Sequence, residues 1–157
     1  MQYRRNTMRS GIDLSLPRYY FVTILTKYKK HLLGELREAE VKLSSIGAIA
    51  DRCLRKIPEI YPFTGLEGHI IMPDHLHCVI EIKKGADFTK SLSHILQFYK
   101  RQVTLEMRKT IEQPPDILWG RSFWARAFSR VDELCAYQKY MIENPLKASL
   151  SRQKIAS

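Results

Sequence analysis

The stretch MPDHLHCVIEI, residues 72–82, decides how the rest of the chain is read. Successive side chains of a β-strand point to opposite faces. From His75 onward one face therefore carries Leu76, Cys78, Ile80 and Ile82, and the other carries His75, His77, Val79 and Glu81. The first set is a core face. The second sets two imidazoles side by side at the start of the strand, and so near solvent, where both can reach one divalent cation. Pro73 and Asp74 break the chain just before it, and EGHIIM (67–72) reads as the preceding strand. His69 in that strand is the nearest third ligand in sequence, but a lone histidine among apolar residues is more often simply packed. His31 and His94 stand without companions.

Upstream, YYFVTILTK (19–27) is dense in β-branched and aromatic residues and reads as a buried strand. The segment 28–44, YKKHLLGELREAEVKLS, is read as holding a hairpin. Ile46, Ile49, Ala50, Cys53, Leu54 and Ile57 follow at helical spacing, which predicts an amphipathic helix capped by Ser44 or Ser45 and ended near Pro58. Downstream, 83–86 reads as a loop and Asp87 as the N-cap of a long helix. Its inner stripe is Leu92, Ile95, Leu96, Tyr99 and Val103, with Lys90, Gln97, Lys100, Arg101 and Arg108 mostly outside it. EQPPDILWGRSFWARAFSR (112–130) starts as a loop and contains a short strand around 123–128, and a last helix runs from Asp132 to about Asn144, closing at Pro145. Strands and helices mix without the regular alternation of parallel folds, so an antiparallel α+β sandwich is the expected class.

The 157 residues, 45% of them hydrophobic, suit one domain with a sizeable core. No stretch resembles a signal peptide or is long and apolar enough to span a bilayer, so a cytoplasmic protein without a membrane partner is expected. Cys53, Cys78 and Cys135 are far apart and odd in number, which argues against a disulfide framework or a cysteine zinc site; each is expected to be a small buried hydrophobe. Lys and Arg outnumber Asp and Glu by 26 to 16, a formal charge of +10, which favours a polyanionic partner, nucleic acid first. Lys100, Arg101 and Arg126 are candidate phosphate contacts, with the arginines of the N-terminal arm, about 1–17.

AYQKYMIENPLKAS (136–149) is the other informative stretch. In helical projection Leu134, Cys135, Tyr137, Met141 and Ile142 form an apolar stripe, and Tyr140 lies away from its centre. Asn144 stands one turn beyond Tyr140, and Lys147 would follow if the helix passed Pro145. A phenol, with an ordinary pKa of roughly 10, becomes a useful nucleophile beside a cation or base, or when its electrophile is strongly activated. A divalent metal on a phosphate does the latter. The histidine pair and Tyr140 therefore make chemical sense together, with Asn144 as a possible oxygen ligand and Tyr137 as a rival nucleophile by proximity.

PDHLHCVI followed much later by YMIENPLKA resembles the single-tyrosine HUH transposases. LWGRSFWARAFSR ahead of the tyrosine helix, YRRNTMR near the start and YYFVTILTKYKKHLLGE are similar to segments of the REP-associated tyrosine transposases, and the likeness runs over about residues 3 to 148. The resemblance implies a ferredoxin-like, RRM-type antiparallel sheet with helices packed on one face. It implies cleavage and rejoining of single-stranded DNA, often beside a hairpin, through a 5′-phosphotyrosine at Tyr140. His75, His77 and Asn144 would be the ligands of Mg²⁺ or Mn²⁺, and Tyr3, Arg4 and Arg5 would contact DNA, with Lys147 as a further basic contact. Two other readings stay open: a non-catalytic single-stranded nucleic-acid-binding module on the same sheet, and a phosphodiesterase using water. Either a monomer or a homodimer is compatible with the sequence.

Overall fold

A computed structural model of the chain describes residues 16, 18–85 and 90–156. The N-terminal arm, with Tyr3, Arg4 and Arg5, and the expected cap Asp87 lie outside the described residues. Four strands form the main sheet: β1 (Arg18–Thr26), β4 (Thr64–Ile71), β5 (His75–Ile82) and β6 (Trp119–Phe128), in the order β4-β5-β1-β6. Neighbours are antiparallel throughout. With α1 (Ser45–Arg55) before β4 and α3 (Leu92–Thr110) before β6, this is the βαββαβ order of a ferredoxin-like fold. The hairpin expected after β1 is β2 (Gly34–Arg37) with β3 (Glu40–Leu43), and a single turn, α2 (Ile57–Ile60), follows α1.

Both faces of the sheet are covered, by unequal layers. On one side Tyr20, Val22, Ile24, Leu76, Cys78, Ile80 and Ile82 meet α1 and α3 in the main core. The alternation of β5 and the stripe of α3 place these residues as the sequence implies. Ser44 caps α1 through the amide of Gly47 at 3.0 Å. Ser91 caps α3, whose first helical residue is Leu92; serine oxygen accepts from the third amide as readily as aspartate does, so the helix begins later than Asp87 would set it.

On the other side lies α4 (Val131–Ala156), over a small second cluster of Phe21, Val79, Phe128 and Met141. The helices are thus not confined to one face. Helix α4 also runs past the expected stop: Pro145 is inside it and buried. An interior proline removes one amide donor and costs about 3 kcal/mol. Here its ring gains burial, helix-forming residues follow, and the ion pair of Lys147 with Glu143 at 2.9 Å spans the proline. β6 likewise begins at Trp119, four residues before the expected 123, because pairing with β1 continues across an irregularity between Ile24 and Thr26.

Candidate active site

The register builds the site from strand residues sharing one face. Thr23 of β1 stands opposite both His77 of β5 and Trp124 of β6, and Phe21 stands opposite Val79 and Arg126. His75 and His77 are brought together as the alternation predicts, their ring centroids 4.7 Å apart. The expectation that both lie near solvent is corrected for His77, which is 1% exposed. Phe21 stacks on its ring at 5.2 Å, and Tyr140 of α4 covers it at 5.5 Å. A covering helix from the far end of the chain is invisible to the pattern of one strand.

Each imidazole has one nitrogen held. His75 Nδ1 lies 2.6 Å from Asp74 Oδ1, and His77 Nδ1 lies 2.8 Å from Thr23 Oγ1. Burial works against the Asp74 carboxylate, but the hydrogen bond from His75 and the charges of His75 and His31 outweigh it and hold its pKa below the usual value. An ionised carboxylate only accepts, so His75 donates from Nδ1, which leaves Nε2 as the nitrogen that could ligate a metal. His77 Nε2 is buried without a hydrogen-bond partner. Burial, with the neighbouring His75 charge, pushes the His77 pKa down to about 3 against the opposing pull of Asp74, so the ring is neutral at ordinary pH. Imidazoles anchored through Nδ1, with Nε2 left to meet a ligand, are the arrangement that metal-binding histidines present. An orphaned buried nitrogen is otherwise costly, by about 1–3 kcal/mol. These residues fit a divalent cation. Among the described residues no third His, Cys, Asp or Glu joins them, and His69 is excluded by facing the other side, where its Nε2 lies 2.6 Å from Asp51 Oδ1.

The sequence did not single out Thr23 or Asp74. Asp74 adjoins His75 and could have been suspected from spacing alone. Thr23 could not, because 54 residues separate it from His77 and only the register joins them.

Helix α4 is docked by four contacts in succession. Tyr137 stacks on Phe21 at 4.3 Å, the Gln138 amide donates to the Glu67 carbonyl at 2.6 Å, Tyr140 sits over His77, and Met141 lies against Gly68. Glu67 is the extra residue of an irregularity in β4, and Gly68 follows at φ +149°. A Cβ there would stand 3.0 Å from the Met141 methyl, so a glycine permits both the backbone shape and the approach of the helix. The expected apolar stripe is corrected by this docking. Leu134, Tyr137, Tyr140 and Met141 pack on the sheet cluster, whereas Ile142 is exposed and so is Cys135, which is therefore not a buried hydrophobe. Burial, aided by Glu133, raises the Tyr137 pKa despite Arg126 nearby.

Asn144 is half-buried one turn beyond Tyr140. Lys147 comes within 5.9 Å of the Tyr140 ring centroid, because the helix continues through Pro145. Arg126 shares the histidine face. Lys100 and Arg101 do not, since α3 lies beneath the sheet; the Lys100 ammonium donates to the Gly120 carbonyl at 2.7 Å, and burial lowers its pKa. Among the described residues no helix is long and apolar enough to cross a membrane.

Comparison with known proteins bears on the family and the fold. In sequence, the chain is 24% identical over 166 residues to an uncharacterised protein of Haemophilus influenzae, covering 93% of this chain and 90% of that one. In fold, it is similar to a REP-associated tyrosine transposase solved bound to a REP hairpin, with TM-score 0.64 and 18% identity over 94% of this chain and 74% of that chain. It is also similar to a protein of Deinococcus radiodurans R1 assigned as a transposase, with TM-score 0.53 and 18% identity over 88% of this chain and 98% of that chain. The family model described as "Transposase IS200 like" matches residues 16–141, which include His75, His77 and Tyr140 and stop short of Asn144. The chain belongs to the IS200-like transposase family.

Proposed function

We propose that this transposase cleaves and rejoins single-stranded DNA beside hairpins, with Tyr140 as nucleophile and His75, His77 and Asn144 as ligands of Mg²⁺ or Mn²⁺. The observation that carries this reading is the unpartnered, buried His77 Nε2 under the ring of Tyr140. A divalent cation there would withdraw charge from a scissile phosphate and orient it for in-line attack.

The chain's own residues supply the rest. Asp74 and Thr23 hold the two imidazoles in one orientation. The Tyr140 oxygen bonds to phosphorus, its proton leaves, and the bond from phosphorus to the 3′-oxygen breaks. The DNA on the 3′ side stays on the tyrosine as a 5′-phosphodiester, and the other end leaves as a 3′-OH. Because one phosphodiester replaces another, attack by a second 3′-OH restores the tyrosine and joins strands without ATP. Lys147, close to the tyrosine ring, and Arg126, on the same sheet face, offer charge to the DNA backbone. Tyr3, Arg4 and Arg5 are assigned to DNA contact on the resemblance of the arm. The fold neighbour solved with a REP hairpin supports a hairpin as the substrate class.

The test uses wild type, Tyr140→Phe and Tyr137→Phe with 5′- and 3′-labelled hairpin oligonucleotides carrying randomised single-stranded flanks, in Mg²⁺ or EDTA, on denaturing gels. The expected result is a metal-dependent, SDS-resistant adduct on the 3′-side fragment, absent only in Tyr140→Phe. Cleavage that persists in that variant without an adduct would replace tyrosine with water as the nucleophile. Binding without any cleavage would make the chain a binding module.

A further inference from the structure

Trp124 has no part in the chemistry above, yet the register puts it beside it. It stands opposite Thr23, the residue that holds His77. Phe21 meets four rings at once: Tyr137 at 4.3 Å, His77 at 5.2 Å, Tyr140 at 6.0 Å and Trp124 at 6.1 Å. Of these, Trp124 is borne on β6, the edge strand of the sheet, and it is half-buried. The contrast with Trp119 on the same strand is informative. Trp119 is 7% exposed, belongs to the main core, and donates its indole N–H to the Lys100 carbonyl. Trp119 is structural, while Trp124 rests edge-on against Phe21 and remains accessible.

Two residues along and on the same face is Arg126, its side chain 59% exposed and engaged, among the described residues, by a long 3.9 Å pair with Glu133 and a hydrogen bond with Tyr137. An accessible indole with an exposed guanidinium beside it suits an unpaired nucleobase and its phosphate. The bases of a duplex stem are stacked on one another and cannot lie on such a ring. Among the described residues no strand pairs with the outer edge of β6, so a single strand of DNA could run off the sheet there.

We infer that Trp124 and Arg126 form a subsite for an unpaired nucleotide flanking the cleaved bond, with the indole stacking on the base and the guanidinium contacting its phosphate. This rests on the DNA chemistry proposed above and adds where the single strand lies. The simpler alternative is that Trp124 only shields Phe21, in which case any apolar side chain of similar bulk serves.

The experiment compares wild type, Trp124→Phe and Trp124→Leu for binding of an oligothymidylate, followed by fluorescence anisotropy of the DNA and by indole emission. Stacking on aromatic rings tolerates any base, so a homopolymer suffices. Binding should quench indole emission in wild type, and the quench should vanish in Trp124→Phe, which keeps only buried Trp119. Affinity should fall roughly ten- to a hundredfold in Trp124→Leu and be mostly retained in Trp124→Phe. Equal affinity of the leucine variant with wild type, or a quench that survives in Trp124→Phe, would overturn the subsite. If the leucine variant does not fold, the quench comparison alone decides. Running the covalent-adduct assay in parallel separates the two readings. An adduct with binding indifferent to Trp124 sinks the subsite alone; Trp124-dependent binding without an adduct supports the subsite and sinks the tyrosine chemistry alone.

Discussion

The two faces of the main sheet use the same strands to opposite ends. Beneath it, the alternate residues of β1 and β5 close with α1 and α3 into a core of fully buried apolar side chains. Above it, the intervening residues of the same strands meet α4 across only four buried hydrophobics, and His75, His77, Thr23 and Tyr140 sit among them. One face supplies stability and leaves the other free to keep a buried nitrogen unpartnered. The difference teaches that the upper face gives up hydrogen-bond satisfaction, not packing, at the buried nitrogen where chemistry is proposed.

The largest expected effect separates chemistry from stability on the upper face. Tyr140→Phe should abolish covalent adduct completely and leave the urea midpoint close to wild type, since it removes one oxygen and keeps the ring over His77. A large drop in the midpoint would mean the hydroxyl is structural and would erase the contrast. The lower face should behave in the opposite way. Ile80→Ala removes a fully buried side chain from the main core. It should cost about 2–5 kcal/mol in urea unfolding, while Mn²⁺ affinity of the folded fraction stays unchanged in a titration followed by electron paramagnetic resonance.

Thr23→Val gives a smaller and more diagnostic change. Valine keeps the shape but frees the His77 ring from its anchor. Mn²⁺ affinity should fall about ten- to a hundredfold, the usual consequence of losing a partner behind a metal-binding histidine. Thr23→Ser should recover most of it. Equal affinities across the three proteins would show that packing by Phe21 and Tyr140 alone orients the ring.

How much of this could be read in advance follows from how far apart the interacting residues are. The faces of β5, the stripes of α1 and α3, the cap at Ser44 and the pairing of His75 with His77 are short-range patterns, and they stood in the sequence. What was not legible depends on contacts made at a distance. His77 is buried because α4 returns across the sheet. Thr23 finds it only through strand register. Helix α4 survives Pro145 because the proline is buried there, which outweighs a local rule that would end the helix. Lys100 looks like an exposed phosphate contact in projection, but its long side chain reaches the Gly120 carbonyl.

The smallest effect tests the comparison at its finest grain, between histidines on paired strands. His69 of β4 stands opposite Cys78, one register position from the pair formed by Ile70 and His77, and that single step turns it to the lower face. There its Nε2 meets Asp51, whose carboxylate also accepts from Arg55 at 2.8 Å. Burial would raise the Asp51 pKa, but these hydrogen bonds and charges outweigh it and hold it below the ordinary value. A carboxyl lowered on folding contributes stability above its unfolded pKa of roughly 3.9, and that contribution is lost as pH falls through the folded value. Because the group is partly exposed, the amount should be under about 1 kcal/mol. Asp51→Asn should therefore lower stability slightly at neutral pH and bring the two proteins together in acid, as measured by urea midpoints across the acid range. A gap that persists below both pKa values would mean the carboxylate acts through packing rather than charge. His69 would then be held no differently from His77, and satisfied partners would cease to mark off the structural face from the chemical one.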